Sequence, residues 1–96
     1  MTYLKVRWHH SFSDEPVLLH CELDANLLEL RKVEVYADGR IGYAGDDEEF
    51  GGTRLGWEAT PPSEEIAADP QFEPQEANKQ EFEEVWECRK KWLGNS

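Results

Sequence analysis

Histidine and cysteine are the side chains of this 96-residue sequence with the widest chemical repertoire. His9 is followed by His10, and His20 is followed by Cys21. Adjacent residues of a strand point to opposite faces of a sheet, so neither pair alone can hold one metal ion. A metal site could still be assembled across strands from His10, His20 and Asp14. A metal-dependent enzyme that uses His9, His10 and His20 is therefore one of the functions we consider, as the second alternative to the binding function described below. We expect no bound metal, no cofactor and no catalytic residue.

The two thiols are expected to be reduced and unreactive. Cys21 shares the alternation of Leu19 and Leu23, which is typical of a thiol buried as a small apolar group. Cys88 lies among carboxylates, which disfavour a reactive thiolate, and no paired-cysteine zinc spacing is present. The N-terminus lacks the apolar core of a signal peptide, and no stretch approaches the ~20 apolar residues of a membrane span. We therefore expect a cytoplasmic protein.

Negative charge is concentrated in the middle of the chain. The formal net charge is −11, and between residues 46 and 76 there are ten acidic residues against the single base Arg54. This balance disfavours binding to nucleic acid or anionic membranes and favours a basic protein partner. Aromatic residues among the acids resemble the anchors of a protein interface. The predicted partner-binding residues are Asp46, Asp47, Glu48, Glu49, Phe50 and Trp57.

Arginine and aromatic side chains suggest an alternative site. Arginine suits bidentate recognition of phosphate, so a cleft on a sheet face could form a small-ligand or nucleotide-binding module. The glycine-rich segment at residues 51–56 lacks the spacing of a phosphate loop and indicates a tight turn instead. The ligand-binding residues of this alternative are Trp8, His10, Arg31, Arg40 and Arg54.

Alternating apolar residues predict the elements that would position these groups. Residues 2–8, 16–23, 28–37 and 40–44 are predicted strands of an antiparallel meander within residues 2–45. Asp38-Gly39 predicts a type I′ hairpin between the last two strands.

The remainder of the chain changes character after residue 45. Residues 46–77 are predicted to be an acidic loop with a short helix capped by Ser63. Asn78 and Glu81 form a capping-box pattern that begins an amphipathic helix over residues 78–93. We therefore predict a single α+β domain over residues 1–96, in which about four antiparallel strands pack against the C-terminal helix.

Seven segments together resemble a family of small, largely uncharacterised bacterial domains. This resemblance carries no activity that can be transferred, but small acidic proteins of this type resemble immunity proteins, which neutralise a cognate toxin. With the charge distribution, it implies an inhibitor of a basic toxin such as a nuclease. Two of these segments, residues 31–34 (RKVE) and residues 51–54 (GGTR), form either an internal ion-pair network or a shared ligand site. The matching segments are 3–10 (YLKVRWHH), 14–17 (DEPV), 31–35 (RKVEV), 38–44 (DGRIGYA), 51–56 (GGTRLG), 61–66 (PPSEEI) and 81–86 (EFEEVW).

Overall fold

The fold is one antiparallel sheet with two helices. The structure, a computed structural model, describes residues 1–94, with side chains at 1–75 and 77–88. The sheet has six strands in the order β5-β4-β3-β2-β1-β6. The predicted α+β class and antiparallel sheet are confirmed, but the expectation of about four strands was wrong. The elements are β1 Thr2–Trp8, β2 Leu18–Leu23, β3 Glu29–Val35, β4 Ile41–Gly45, β5 Glu48–Phe50, α1 Ser63–Ala67, β6 Phe72–Glu76 and α2 Lys79–Gly94.

The two unpredicted strands lie at opposite edges of the sheet. β5 has only three residues and pairs with β4, whereas β6 pairs with β1. Both fall in the segment that we expected to be loop and short helix. β6 contains Pro74, which cannot donate to a ladder and is tolerated on an edge strand. Sequence alternation is too short in β5 and too polar in β6 to reveal either strand.

Two hairpins differ from expectation in their turns. The predicted hairpin at Asp38-Gly39 is present, but Tyr36 N donates to Arg40 O at 2.9 Å and only Gly39 has a positive φ, of 91°. This is a three-residue loop with a glycine bulge, so the predicted type I′ turn was wrong there. The type I′ geometry occurs instead between β4 and β5, where Asp46 and Asp47 have φ values of 50° and 66°.

Apolar side chains cover both faces of the sheet. On one face, α2 packs Phe82 and Trp86 against Val33 and Tyr43. Asn78 caps this helix, because its Oδ1 accepts from Glu81 N at 2.8 Å. The second face has its own core, and α1 and β6 contribute partly buried side chains to it. No helix among residues 1–94 is long and apolar enough to span a membrane. The second core consists of Leu4, Val6, Cys21 and Leu23, with Leu19, Leu27, Ile66 and Phe72 around it.

Candidate functional site

An acidic cleft lies at the turn between β4 and β5. It has a volume of about 620 Å³, and four consecutive carboxylates form its polar wall. Leu30 and Leu55 supply apolar surface to the same cleft. The size falls within the ~300–1,000 Å³ range of protein ligand clefts. We call this feature the acidic cleft; it is lined by Leu30, Gly45, Asp46, Asp47, Glu48, Glu49 and Leu55.

The backbone of the β4–β5 turn fixes the first two carboxylates of the cleft. Asp46 and Asp47 adopt left-handed conformations, which aspartate tolerates better than most residues but not without cost. Gly45 precedes them with a φ of 139°, and a Cβ there would lie 2.7 Å from Arg31 Cγ. Glycine is therefore required at Gly45, and both aspartates emerge exposed from a tight two-residue loop.

The carboxylates of Asp46, Asp47 and Glu49 are not neutralised by the described part of the protein. Among residues with described side chains, no lysine, arginine or histidine forms an ion pair with any of the three. Uncompensated carboxylates on an exposed turn produce a local negative potential. The turn is thus suited to attract a cation from outside the molecule.

The fold divides the acidic middle of the chain into two groups. Asp46 to Glu49 lie at and after the β4–β5 turn, whereas Glu64 and Glu65 lie on α1. This helix packs beside β6 and, through Ile66, on the core of the second sheet face. Glu65 lines a cavity on that face together with Glu29 and does not line the acidic cleft. The acidic residues of the middle segment therefore belong to two groups on different elements.

Two of the predicted aromatic residues lie near the β5 edge. Trp57 is 96% exposed, and its neighbour Gly56 donates its N–H to Glu29 Oε1. Leu55, which precedes Gly56, lines the acidic cleft. The bond from Gly56 to Glu29 therefore holds this part of the chain beside the cleft. Phe50 is 43% exposed and stacks on Tyr43 with ring centroids 5.6 Å apart. The Trp57 side chain is therefore almost fully exposed to solvent, whereas the Phe50 side chain is partly packed against Tyr43.

Arg31 is held in a network between the sheet and α2. Its guanidinium donates to both carboxylate oxygens of Glu22, at 2.7 and 2.8 Å, and also to Glu83. It lies 5.0 Å from the Phe82 ring centroid and 5.2 Å from that of Trp86. Hydrogen bonds from Arg31 lower the pKa of Glu22 below its ordinary value. Arg31 therefore joins α2 to the sheet.

The residues proposed for the ligand-binding alternative do not converge. Arg31 lies opposite Gly45, whereas Arg40 lies at the other end of the β3–β4 hairpin. Arg40 pairs with Asp38 at 2.7 Å, and Arg54 is exposed beyond β5. Trp8 contacts His10 with ring centroids 4.4 Å apart near the end of β1. Arg40 Nη2 also donates to Ser13 O at 3.1 Å, so Arg40 lies toward the same end of the sheet as Trp8 and His10, while Arg31 lies toward the other end.

The RKVE and GGTR segments contact each other on the face away from α2. Thr53 Oγ1 donates to Glu34 Oε1 at 2.6 Å, and Thr53 is only 2% exposed. A Cβ at Gly42 would lie 2.1 Å from that hydroxyl oxygen, so glycine is needed for this close approach. Lys32 pairs with Glu29 at 3.1 Å. Both segments therefore support the fold through internal polar contacts.

The chain matches a known domain family over most of its length. Residues 2–91 match a family described as a domain of unknown function, DUF6881. The chain belongs to the DUF6881 family. No curated protein and no solved structure matches the chain. The predicted membership of an uncharacterised domain family is confirmed, and the internal contacts of RKVE and GGTR give a structural reason for those residues in this DUF6881 domain.

The three histidines of the DUF6881 domain have separate environments. His9 lies 3.5 Å from Glu73, and His10 Nε2 lies 2.7 Å from Pro16 O. His20 is buried in the middle of the sheet on the α2 face. Among the residues whose side chains are described, no three His, Cys, Asp or Glu groups are arranged to hold a metal ion.

Stability of the DUF6881 domain is expected to fall with pH below about 6.5. Burial, and then the charge of Lys5, lower the pKa of His20 from its ordinary value of 6.5. The unfolded chain therefore binds a proton more readily than the fold does, and the stability present above pH 6.5 is lost as the pH falls through the folded pKa. Other titratable groups around His20 are Glu81, Glu84 and Cys88. Urea unfolding between pH 8 and 5 measures this loss.

The control for this pH effect is His20→Leu. We expect the variant to show a smaller loss of unfolding free energy between pH 6.5 and 5 than the wild type. Below about pH 4.5 both proteins should lose stability, because protonation of Glu22 removes its favourable interaction with Arg31. Identical slopes of wild type and variant above pH 5 would contradict the assignment to His20.

Proposed function

We propose that this DUF6881 domain is an immunity-type inhibitor that binds a basic bacterial toxin, such as a nuclease, through the acidic cleft. The observation that carries the proposal is the exposed turn at Asp46 and Asp47, whose carboxylates have no cationic partner among the described residues. The domain itself carries out no reaction in this proposal. It acts by occupying the cationic surface of its partner.

Electrostatics would act mainly on the rate of association. A concentrated negative surface raises the encounter rate with a basic protein by about 10- to 1,000-fold at low salt. Added salt screens this attraction, since the Debye length falls from about 10 Å at 0.1 M to about 3 Å at 1 M. The apolar surface of Leu30 and Leu55 would contact the aliphatic part of an inserted lysine or arginine.

Trp57 would be the main apolar anchor of this interface. Its side chain is almost fully exposed, and tryptophan is enriched among residues that dominate binding energy. We expect Trp57→Ala to weaken binding by about 2 kcal/mol, or roughly 30-fold, and to leave the unfolding midpoint unchanged. Isothermal titration with the purified partner measures the affinity. Phe12→Ala is the matched control. Phe12 is also an exposed aromatic residue, at 59%, but it lies after the C-terminal end of β1, at the end of the sheet opposite the acidic cleft.

The experiment that tests the function begins with affinity capture. The immobilised domain is exposed to an extract of the source cells at 50 mM NaCl, and captured proteins are identified and purified. We expect a basic protein whose activity is lost on addition of one equivalent of the domain. A captured partner that is acidic, or that keeps full activity when saturated with the domain, would count against an inhibitor of this type.

A further inference from the structure

A second cavity lies between α2 and the sheet, at the end opposite the acidic cleft. Its volume is about 310 Å³, at the lower end of the range for small-ligand pockets. Strand residues form one wall and α2 forms the other. We call this the helix-face cavity; it is lined by Leu18, His20, Val33, Val35, Ile41, Glu84, Val85 and Cys88.

His20 is the polar group at the inner wall of the helix-face cavity. It is 6% exposed, and no described residue forms a hydrogen bond with either of its ring nitrogens. The nearby Lys5 and Glu81 pair with each other at 2.8 Å. Buried polar side chains in native proteins almost always have a hydrogen-bond partner. His20 therefore requires a partner from outside the described residues, and the cavity gives access to it.

The walls define the chemistry of that partner. Leu18, Val35 and Ile41 favour an apolar body. Burial lowers the pKa of His20, which favours the neutral imidazole with one N–H donor and one nitrogen acceptor. Glu84 lines the cavity and would repel a carboxylate or phosphate. A hydroxyl group satisfies either nitrogen without adding charge.

We propose that the helix-face cavity binds a small, uncharged, mainly apolar alcohol or phenol whose hydroxyl group hydrogen-bonds to His20. The site is separate from the acidic cleft. Leu18, Val35 and Ile41 form one row across the sheet, while Asp46 and Asp47 follow Gly45 at the other end of β4. Binding here is independent of the inhibitor function, so either proposal can fail without the other.

Three probes test the proposal on the full chain: 4-methylphenol, toluene and 4-methylbenzoate. Titration is followed by NMR of the histidine ring nitrogens and by calorimetry. We expect 4-methylphenol to bind about fivefold more tightly than toluene, the effect of one net hydrogen bond, and to shift the His20 ring signals. We expect no binding of 4-methylbenzoate. Binding of neither 4-methylphenol nor toluene at concentrations up to the aqueous solubility of toluene would overturn the proposal.

Two variants locate the binding. His20→Leu should bind toluene and 4-methylphenol equally, because only the hydrogen bond is removed. Cys88→Phe should fill the cavity from α2 and abolish binding of both, which keeps the test decisive if His20→Leu does not fold. Asp46→Asn with Asp47→Gly is the distant control and should bind as the wild type does. A fivefold preference for 4-methylphenol that persists in His20→Leu, or unchanged affinity in Cys88→Phe, would overturn the proposal.

Discussion

Arg31→Met is expected to lower the free energy of unfolding by about 3–5 kcal/mol, the usual cost of removing one partner from a buried ion pair. Glu22 would remain buried with its charge uncompensated, since its side chain is 8% exposed and that of Arg31 is 13% exposed. The loss of the Glu83 ion pair contributes less to this cost, because the Glu83 side chain is 37% exposed and water screens its charge. A domain of this size has roughly 5–15 kcal/mol of stability in total, so the variant would be close to unfolding.

The matched control for this prediction is Arg40→Met. Arg40 also forms an ion pair, but its side chain and that of Asp38 are both more than half exposed. Its replacement should cost less than about 1 kcal/mol. The double variant Arg31→Met with Glu22→Gln should recover part of the loss, because no charge remains at the buried Glu22 position and Glu83, which also loses its partner, is partly exposed to water. Urea unfolding measures all four proteins, and an Arg31→Met midpoint equal to that of Arg40→Met would refute the structural role.

The second prediction separates binding from stability at the β4–β5 turn. Replacing Asp46 with Asn and Asp47 with Gly removes two charges and introduces the preferred residues of a type I′ turn. We expect the association rate with a basic partner to fall about 10- to 100-fold at 50 mM NaCl. Stability should rise by up to about 1 kcal/mol, because positive φ is more costly for aspartate than for glycine. Stopped-flow mixing and urea unfolding measure the two effects.

Glu64→Gln with Glu65→Gln is the control for that variant. It removes the same number of charges from α1, which packs beside β6 on the second face of the sheet. Its association rate should fall less than threefold, since neither Glu64 nor Glu65 lines the acidic cleft. Equal losses in both double variants would show that net charge alone, and not the position of the turn, governs association.

Periodicity reveals much of this fold because burial on a sheet face imposes it. Leu4 and Val6 alternate with Lys5, and the structure buries that pair on one face. Phe82 and Trp86 are four residues apart, and α2 buries both. β6 has no comparable pattern, because its only apolar residues are Phe72 and Pro74. An edge strand held mainly by backbone pairing leaves little trace in side-chain order.

The sites depend on contacts that sequence spacing cannot encode. Asp46 and Asp47 are visible as an acidic run, but their positive φ values depend on the pairing of β4 with a three-residue strand. Arg31 could be assigned equally to a ligand or to an internal network, and only the packing of Glu83 beside it decides. The pattern places His20 on the face of Leu18 and Glu22, yet only the tertiary structure shows that no residue with a described side chain hydrogen-bonds to its ring.

The most direct test of the inhibitor proposal is an NMR map of the interface on the isotope-labelled domain as the captured partner is added. We predict that the largest changes occur at the backbone amides of residues 46–50 and at the indole N–H of Trp57. Residues of α1, which carry the other acidic surface, should change little. Changes confined to α1 and β6, with residues 46–50 and Trp57 unaffected, would contradict the proposal.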